Sequence, residues 1–350
     1  MARQIFSSNS VPPEGGLNIR EIARRAGCSA STVSRVLAHR AQDGAVKISE
    51  ATSSRILAVC AELNYTPSIH AARLFSHRSR VIGLLPPCNI GWDDPNLSRA
   101  LGATCHKFSE AGYRCLPLQH DPHFFEQKGH LLIFRRNEID GLIIWGEIRD
   151  EPYLHELSDA GMPFILSTNR IAEYPAVIPD QRTPIRQLTR RCQEKGAERL
   201  VYLDFCAPSV NSGTCNDTYE QRRQGFLDSA GPDGVILPAG LTVQDGYRAA
   251  AKALAHKPDA IIAGNDRLAV GTECLLRERG MRSPEDILVT GGDNIELSEY
   301  CAIPISTFDQ RSADCAERCA EILLGHLDRK QPLVSEILPT QTIFRASTGD

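Results

Sequence analysis

The chain begins with three short stretches in which apolar residues recur at the spacing of an α-helix. The pattern predicts helices over 19–26, 30–37 and 49–63. The residues expected to face inward are Ile19, Ile22, Ala23, Ala26, Val33, Val36, Leu37, Ile56, Leu57, Cys60 and Leu63. Gly27 lies between the first two stretches and suits a left-handed turn. Two short helices around a glycine turn, followed by a third helix, are typical of a helix-turn-helix.

Polar residues suited to helix starts precede each of the three stretches. Asn18 has Glu21 three positions later, which matches a capping box. Ser29 and Ser49 stand where the second and third helices need a side chain that accepts from backbone N–H groups. The caps and the apolar spacing therefore predict the same three helices.

After Arg80 the pattern changes to short apolar runs that alternate with amphipathic stretches, which favours parallel α/β units. Strands are predicted over 81–85, 141–145, 164–166, 200–203, 260–263 and 287–290. Because these runs fall into two similar sets, we expect two doubly wound subdomains with a cleft between them. In such sheets ligands bind beyond the carboxyl ends of the strands.

These patterns, together with the similarities described below, divide the chain into five parts. The predicted parts are a tail over 1–17, a helix-turn-helix domain over 18–63, a hinge or linker over 64–80, an N-subdomain over 81–178 with 308–333, and a C-subdomain over 179–307 with 334–346. Three chain crossings between the subdomains would form a hinge able to close around a ligand.

Charge is distributed unevenly along the chain. Residues 1–80 carry 11 Lys and Arg against 5 Asp and Glu, whereas the remainder carries 28 against 38. A basic head on an acidic body is typical of a protein whose head meets a polyanion. No apolar run is long enough to span a membrane, and the polar start resembles no secretory signal, so we expect a cytoplasmic protein.

The 12 cysteines are scattered, with no zinc-type or Cys-x-x-Cys spacing. We therefore expect reduced, mostly buried thiols, with no metal and no cofactor. Cys315 and Cys319 stand four residues apart on a predicted helix, which suits helix packing and leaves a redox pair as the alternative.

The second predicted helix has small or polar residues where a recognition helix needs them. We expect these to face DNA together with the capping serine: Ser29, Ala30, Ser31, Thr32, Ser34 and Arg35. Arg35 would donate to guanine, and Ala30 or Thr32 would contact a thymine methyl group. The alternative is a capped three-helix bundle with an ordinary polar face.

The run from Ile19 to Leu37 (IREIARRAGCSASTVSRVL) resembles the head of the lactose-repressor (LacI/GalR) family. The run from Leu63 to Leu74 (LNYTPSIHAARL) is similar to the hinge of that family. The resemblance implies that Leu74 wedges into the minor groove and bends the operator; the alternative is a packed leucine. The chain departs from the family in a longer loop over 38–48 and in Ala72, where Arg or Gln is common.

The body resembles the same family in several runs, including Ile139-Asp-Gly-Leu-Ile, Gly161-Met-Pro-Phe-Ile, Arg222-Arg-Gln-Gly-Phe and Gly291-Gly-Asp-Asn. This implies a core like that of the periplasmic binding proteins. By position, the resemblance implies that the effector is held by Arg222, Asn265, Asp293 and Gln310. Such groups suit a sugar, since Asp accepts from hydroxyls while Arg and Asn donate; Arg222 would equally hold a carboxylate or phosphate.

Two tryptophans are further candidates for the effector site. Trp145 ends a predicted strand, and Trp92 lies in the loop after the first strand. Either ring would stack on a sugar, and the alternative for both is packing in the core or at its rim. Thr168 and Asn169 fall near a position that often binds effector in the family, but the spacing leaves them unassigned.

We therefore expect a DNA-binding transcriptional regulator, a repressor controlled by a small molecule such as a sugar. Two copies would pair through the body and bind a near-palindromic operator. The competing classes are an enzyme and a free binding protein on the same core fold. The chain carries no Gly-x-Ser-x-Gly, His-Glu-x-x-His or Gly-rich phosphate loop, and the basic head disfavours a free binding protein.

Overall fold

The computed structural model describes residues 19–37, 47–65, 78–86, 91, 94–118, 122–146, 152–171, 173–205 and 217–350. The chain divides into two compact units, Met1–Ser79 and Arg80–Asp350. We call the first unit the head and the second the body, and each is described by itself.

The head contains the three predicted helices, α1 (Ile19–Ala26), α2 (Ala30–Leu37) and α3 (Glu50–Glu62). Gly27 ends α1 with a φ of 63°, the left-handed turn expected of it. Ser29 Oγ accepts from the N–H of Thr32 at 3.1 Å, and Ser49 Oγ accepts from the N–H of Thr52 at 3.3 Å. Both serines therefore cap the helices that they precede.

All three helices contribute to the core of the head. Its fully buried residues include Ile22 of α1, Val33 of α2 and Ile56 of α3. Two details of the predicted pattern are wrong. Leu57 is 53% exposed, because α3 turns a narrower apolar face to the core than its sequence suggests. Ser34 is buried at 9% exposure, because α2 packs on both α1 and α3 and loses water on two sides.

The body contains two parallel sheets, each flanked by helices. The strands of the first sheet are β1 (Val81–Leu85), β2 (Arg114–Pro117), β3 (Gly141–Trp145), β4 (Phe164–Ser167), β5 (Ala176–Pro179) and β11 (Glu336–Leu338). Those of the second are β6 (Leu200–Asp204), β7 (Val235–Pro238), β8 (Ala260–Ala263) and β9 (Leu288–Thr290). The first sheet has the order β11-β5-β4-β3-β1-β2 and the second the order β7-β6-β8-β9. A separate antiparallel pair joins β10 (Thr307–Asp309) to β12 (Gln341–Ile343).

Helices pack on both sheets. In chain order they are α4 (Pro95–Glu110), α5 (Pro122–Glu126), α6 (Gly129–Arg135), α7 (Pro152–Asp159), α8 (Arg182–Glu194), α9 (Asp217–Ala230), α10 (Val243–Ala253), α11 (Asp266–Glu278), α12 (Glu296–Tyr300) and α13 (Ser312–Arg329). We call the first sheet with α4–α7 and α13 the first lobe. The second sheet with α8–α12 is the second lobe.

The strand order explains the alternating pattern of the sequence. Central strands such as β3 and β8 are buried at every position, so both faces of each strand read as apolar. In each sheet the second strand in sequence lies on one side of the first strand, and the third lies on the other side. The direction in which strands are added therefore changes between β1 and β3 and between β6 and β8. These are the switch points where doubly wound sheets form ligand crevices.

One predicted boundary is corrected by the first sheet. The sequence places residues 334–346 in the C-subdomain, but Glu336–Leu338 (β11) pairs in parallel with β5 of the first sheet, for example Ile337 with Ile178. The following strand, β12, pairs with β10. The preceding helix α13 packs against β3, β4 and β5, so the chain leaves it beside the open edge of the first sheet. The remaining domain boundaries stay predictions.

Within the described residues, no helix is long and apolar enough to cross a membrane. The same part of the chain contains no cluster of three or more His, Cys, Asp or Glu side chains placed to hold a metal ion.

Candidate effector cavity and DNA-binding helix

A cavity of about 290 Å³ lies in the body at the carboxyl ends of strands from both lobes. Five residues that the sequence singled out line it: Trp145, Arg222, Asn265, Asp293 and Gln310. Trp145 ends β3, and the last three of the five follow β8, β9 and β10 within three residues. The strand ends therefore bring together residues that are up to 165 positions apart in the sequence.

Arg222 extends from α9 and is the largest fully buried side chain described. Its Cζ atom lies 4.8 Å from the ring centroid of Phe205 and 4.8 Å from that of Phe308. The two rings hold the guanidinium plane by cation–π contact. Nε donates to Gln181 Oε1 at 2.6 Å, and Nη1 donates to the carbonyl of Gly264. Rings and acceptors thus fix the guanidinium from several sides.

Asp293 is the ionic partner of Arg222, with Oδ1 of the aspartate 2.7 Å from Nη2 of the arginine. Burial raises the pKa of Asp293, and the charge and hydrogen bond of Arg222 oppose that shift. Asp293 has a φ of 107°, a conformation that residues with a side chain rarely adopt. Something must therefore hold this turn in place.

A second buried carboxyl group, that of Asp266, holds the turn. Its Oδ2 accepts from the N–H of Ile295 at 2.9 Å, and its Oδ1 accepts from Thr307 Oγ1 at 2.6 Å. Its own N–H donates to the carbonyl of Gly292 at 2.7 Å. Burial and the neighbouring Asp293 raise the pKa of Asp266 to about 7. Asp266 therefore fixes the turn from both sides of Asp293.

The other predicted residues also lie at the cavity wall. Asn265 and Gln310 already make hydrogen bonds within the protein. Asn265 caps α11 through Oδ1, which accepts from the N–H of Leu268 at 2.8 Å. Gln310 Oε1 accepts from both Gln181 and Arg222 at 3.4 Å. Trp145 is 7% exposed and also packs on Leu97. Its ring is thus both a core residue and part of the wall.

Several wall residues are not assigned to the site by the sequence, although Thr168 lies near a position considered for it. Asn96 and Asp94 stand at the start of α4, Arg267 at the start of α11, and Thr168 after β4. All four lie within a few residues of a strand's carboxyl end or a helix start. A systematic reading of those positions, rather than of the family motifs alone, would have found them.

Polar contacts join the two lobes beside the cavity. Thr218 Oγ1 of the second lobe donates to the carbonyl of Thr168 at 2.5 Å. Arg267 Nη2 lies 3.6 Å from Asp94 Oδ2. Arg99 Nη1 donates to the carbonyl of Asn294 at 3.2 Å. The lobes are therefore linked by hydrogen bonds and an ion pair, and the residues of the first two contacts line the cavity.

In the head, α2 presents a short polar surface. Ser29 and Ser31 are exposed, whereas Ala30, Thr32 and Arg35 are partly buried. Ser29 Oγ lies within hydrogen-bond distance of Ser31 Oγ and Thr32 Oγ1, at 2.9 and 2.8 Å. The predicted DNA-facing residues other than Ser34 therefore keep some access to water. Leu74 and Trp92 lie outside the described residues.

Comparison with known proteins identifies both units. Residues 18–68 match the bacterial regulatory proteins of the lacI family, and residues 189–348 match the periplasmic binding protein-like domain. The ribose operon repressor of Bacillus subtilis (strain 168) is 30% identical over 336 residues. That alignment covers 94% of this chain and 98% of the relative.

Solved structures show the same fold. The lac repressor dimer bound to operator and the anti-inducer ONPF aligns with a TM-score of 0.78 at 21% identity, covering 95% of this chain and 99% of that one. The transcriptional regulator CelR in complex with cellobiose aligns with a TM-score of 0.69 at 22% identity, with the same two coverages. The helix-turn-helix and the two-lobed α/β body predicted from the sequence are confirmed. With a relative of 30% identity along nearly its whole length, the chain belongs to the lacI family of bacterial regulatory proteins.

Proposed function

We propose that this lacI-family regulator is a repressor whose binding to operator DNA is controlled by a sugar or sugar derivative in the body cavity. The observation that carries the proposal is the combination of a helix-turn-helix with a cavity at the carboxyl ends of two parallel sheets. The relatives are named as repressors and regulators, and no enzymatic role is proposed.

On this proposal α2 enters the major groove of DNA. Arg35 donates to a base edge, with guanine as the preferred partner because it offers two acceptors. Ala30 and Thr32 contact bases or thymine methyl groups, and Ser29 and Ser31 bind phosphate oxygens. Ser34 is omitted, because it is buried in the head.

The effector would lie against Arg222, Asn265, Asp293 and Gln310, with Trp145 at one side of the cavity. All five side chains line one space, which favours a shared role. Binding there would change the contacts between the lobes, and this change would alter the affinity of the head for operator. The coupling free energy between the two sites sets how large that change in affinity is. The complex of CelR with cellobiose supports a sugar as the class of effector.

We further propose that two copies pair through their bodies in the cytoplasm and bind a near-palindromic operator, with Leu74 as the minor-groove wedge. The lac repressor structure is a dimer on its operator, which supports this arrangement. Two heads held by one dimer would read two half-sites in successive major grooves.

The test is selection of bound sequences from random duplex DNA with the purified full chain, followed by gel shift on the selected site. We expect binding to a near-palindromic sequence that weakens steeply with salt, as phosphate contacts require. Absence of sequence-dependent binding would reject the repressor function and leave an enzyme or a free binding protein. Leu74→Ala is expected to weaken binding to the selected site far more than binding to random DNA.

A further inference from the structure

Two free thiols lie on neighbouring elements of the first lobe. Each of the nine cysteines in the described part of the chain has a free thiol. Of these nine, Cys105 of α4 is exposed, and the other eight are partly or fully buried. Cys115, on the edge strand β2, is partly buried. Neither residue lines the effector cavity, so the function proposed above makes no use of this pair.

The packing of α4 on β2 brings the two thiols together. The N–H of Tyr113 donates to the carbonyl of Phe108 at 2.8 Å, so the chain turns directly from the end of the helix towards the strand. Leu101 and Cys115 pack against one apolar cluster, of which Phe108 is a fully buried member. Cys105 follows Leu101 by four residues and precedes Phe108 by three, which places all three on one side of α4. Because α4 contacts β2, that side carries Cys105 to the strand that contains Cys115.

The two thiols also interact directly. Burial raises the pKa of Cys115 to about 12, and the charge of Cys105 and its hydrogen bond with Cys115 act in the same direction. An exposed thiol is the one that a dissolved oxidant reaches first, and a neighbouring shielded thiol is placed to displace the oxidised product. Cys105 thus has the position of an attacking thiol, and Cys115 has the position of a resolving thiol.

Cys315 and Cys319 of α13, the pair that the sequence singles out, lack this arrangement. Both residues are 0% exposed and belong to the core of the first lobe. Burial raises the pKa of both thiols, to about 12 for Cys319. A buried thiol that stays protonated is inert towards oxidants. The pair on α4 and β2 is therefore the better candidate for oxidation.

We propose that Cys105 and Cys115 form a reversible disulfide within one chain when the protein meets a peroxide. The thiolate of Cys105 attacks one oxygen of hydrogen peroxide, so that an S–O bond forms, the O–O bond breaks and hydroxide leaves. The thiolate of Cys115 then attacks the sulfur of Cys105, so that the S–S bond forms, the S–O bond breaks and a second hydroxide leaves. The two protons released by the thiols convert both hydroxides to water. The thiols thereby lose two electrons, and the peroxide gains them.

The disulfide would act as a sensor and not as a permanent crosslink. The cytoplasm proposed for this regulator is reducing, and disulfides that form in such a compartment are usually transient. A dithiol reductant returns both thiols by thiol–disulfide exchange. The bond would fix α4 to β2, and α4 begins at the wall of the effector cavity, where Asp94 and Asn96 lie. Peroxide would therefore act on a helix that also contributes to that cavity.

The first experiment maps disulfides in the purified full chain. The protein is reduced, freed of reductant, treated with hydrogen peroxide, blocked with iodoacetamide and digested with trypsin. Cleavage after lysine and arginine places Cys105 on peptide 100–107 and Cys115 on peptide 115–128. Mass spectrometry should detect these peptides linked, with two hydrogen atoms fewer than their sum, and dithiothreitol should separate them. Absence of the linked peptides, or their presence only in a non-reducing gel band of twice the chain mass, overturns the proposal.

The second experiment tests the two roles by substitution. In Cys115→Ser the reaction should stop at the sulfenic acid of Cys105, and dimedone should label peptide 100–107. In Cys105→Ser neither the linked peptides nor a dimedone label on peptide 115–128 should form. Cys274→Ser, which removes a partly buried thiol of the second lobe, is the control and should form the linked peptides like the parent chain. Dimedone labelling of Cys115 in Cys105→Ser would overturn the assigned roles.

The order of oxidation in the parent chain provides a further test that depends on no variant. At limiting peroxide, Cys105 should be oxidised before the other described cysteines, because it is the exposed one among them. Earlier oxidation of Cys315 or Cys319 would overturn the proposal. The peptide map needs neither operator nor effector, so its result is independent of the repressor function.

Discussion

Nη2 of Arg222 and Oδ1 of Asp293 lie 2.7 Å apart inside the body, with the arginine side chain 2% exposed and the aspartate 15% exposed. The pair joins α9 to the turn after β9, and that turn holds Asp293 in an unusual backbone conformation. A buried ion pair contributes little net stability over an apolar pair, but loss of one partner leaves a costly buried charge. The two residues are therefore expected to behave as a unit.

Removing one member should cost more than removing both. Arg222→Met leaves Asp293 without its cation and should lower the free energy of unfolding by about 3 kcal/mol. The double variant Arg222→Met with Asp293→Asn should recover part of that loss, because no buried charge remains. Urea denaturation of the four proteins of the cycle gives the coupling free energy. Strictly additive losses would contradict the coupling, and effector response should be lost in all three variants.

Arg35 is expected to carry operator selectivity. Arg35→Ala should lower the affinity for the selected operator by about 1–3 kcal/mol and relax the preference at one base pair of each half-site. Arg24→Ala is the matched control, since Arg24 is 70% exposed and pairs with Glu21 on α1. Gel shifts at one fixed salt concentration compare both variants on the selected site and on a scrambled one. Full selectivity in Arg35→Ala would exclude α2 as the recognition helix.

The sequence predicted the strands that carry the site because central parallel strands are apolar at every position. The runs that became β3 and β8 are therefore visible without any knowledge of their partners. Family motifs then placed Asp293 and Asn265 at the cavity wall. The carboxyl ends of parallel strands meet at one edge, so residues after different strands were expected to converge.

Other features depend on packing that no local pattern records. Asn96 has no motif, and only the folded structure shows that it lines the cavity and that its buried Oδ1 atom has no hydrogen-bond partner among the described residues. Ser34 and Leu57 were placed wrongly because the spacing gives the direction of a helix face but not its width. Strand β11 has three residues, and Ile337 within it is 57% exposed, so its sequence does not indicate which sheet it joins.

Close packing of α10 on α11 predicts a large effect at a helical glycine. A Cβ atom on Gly271 would lie 2.0 Å from the carbonyl oxygen of Val243, so the two helices would have to move apart. Gly271→Ala should lower the free energy of unfolding by about 3 kcal/mol. Gly102→Ala on α4 is the control, because no heavy atom lies within 4 Å of its Cβ position. It should gain up to about 1 kcal/mol from helix propensity. Equal effects in urea denaturation would contradict the close contact.

The stability of the body should depend on pH through Glu273 of α11. Burial raises the pKa of this carboxyl group from 4.5 to about 7, and its Oε1 has no partner among the described residues. The folded state therefore holds a proton that the unfolded state releases. The resulting stabilisation is fully present below the unfolded pKa of 4.5 and is lost as pH rises through about 7.

The glutamine side chain in the variant Glu273→Gln cannot ionise. The variant should therefore lose less stability than the parent chain as pH rises. Relative to the parent chain, its free energy of unfolding should rise between about pH 5 and about pH 8, by an amount of the order of 2 kcal/mol. Asp266, whose pKa is also raised to about 7, leaves a residual dependence of the same sign. Glu198→Gln, an exposed change beside β6, should follow the parent chain at every pH. Urea denaturation across this range provides the comparison. A constant difference between Glu273→Gln and the parent chain would show that Glu273 is ionised in the folded state throughout.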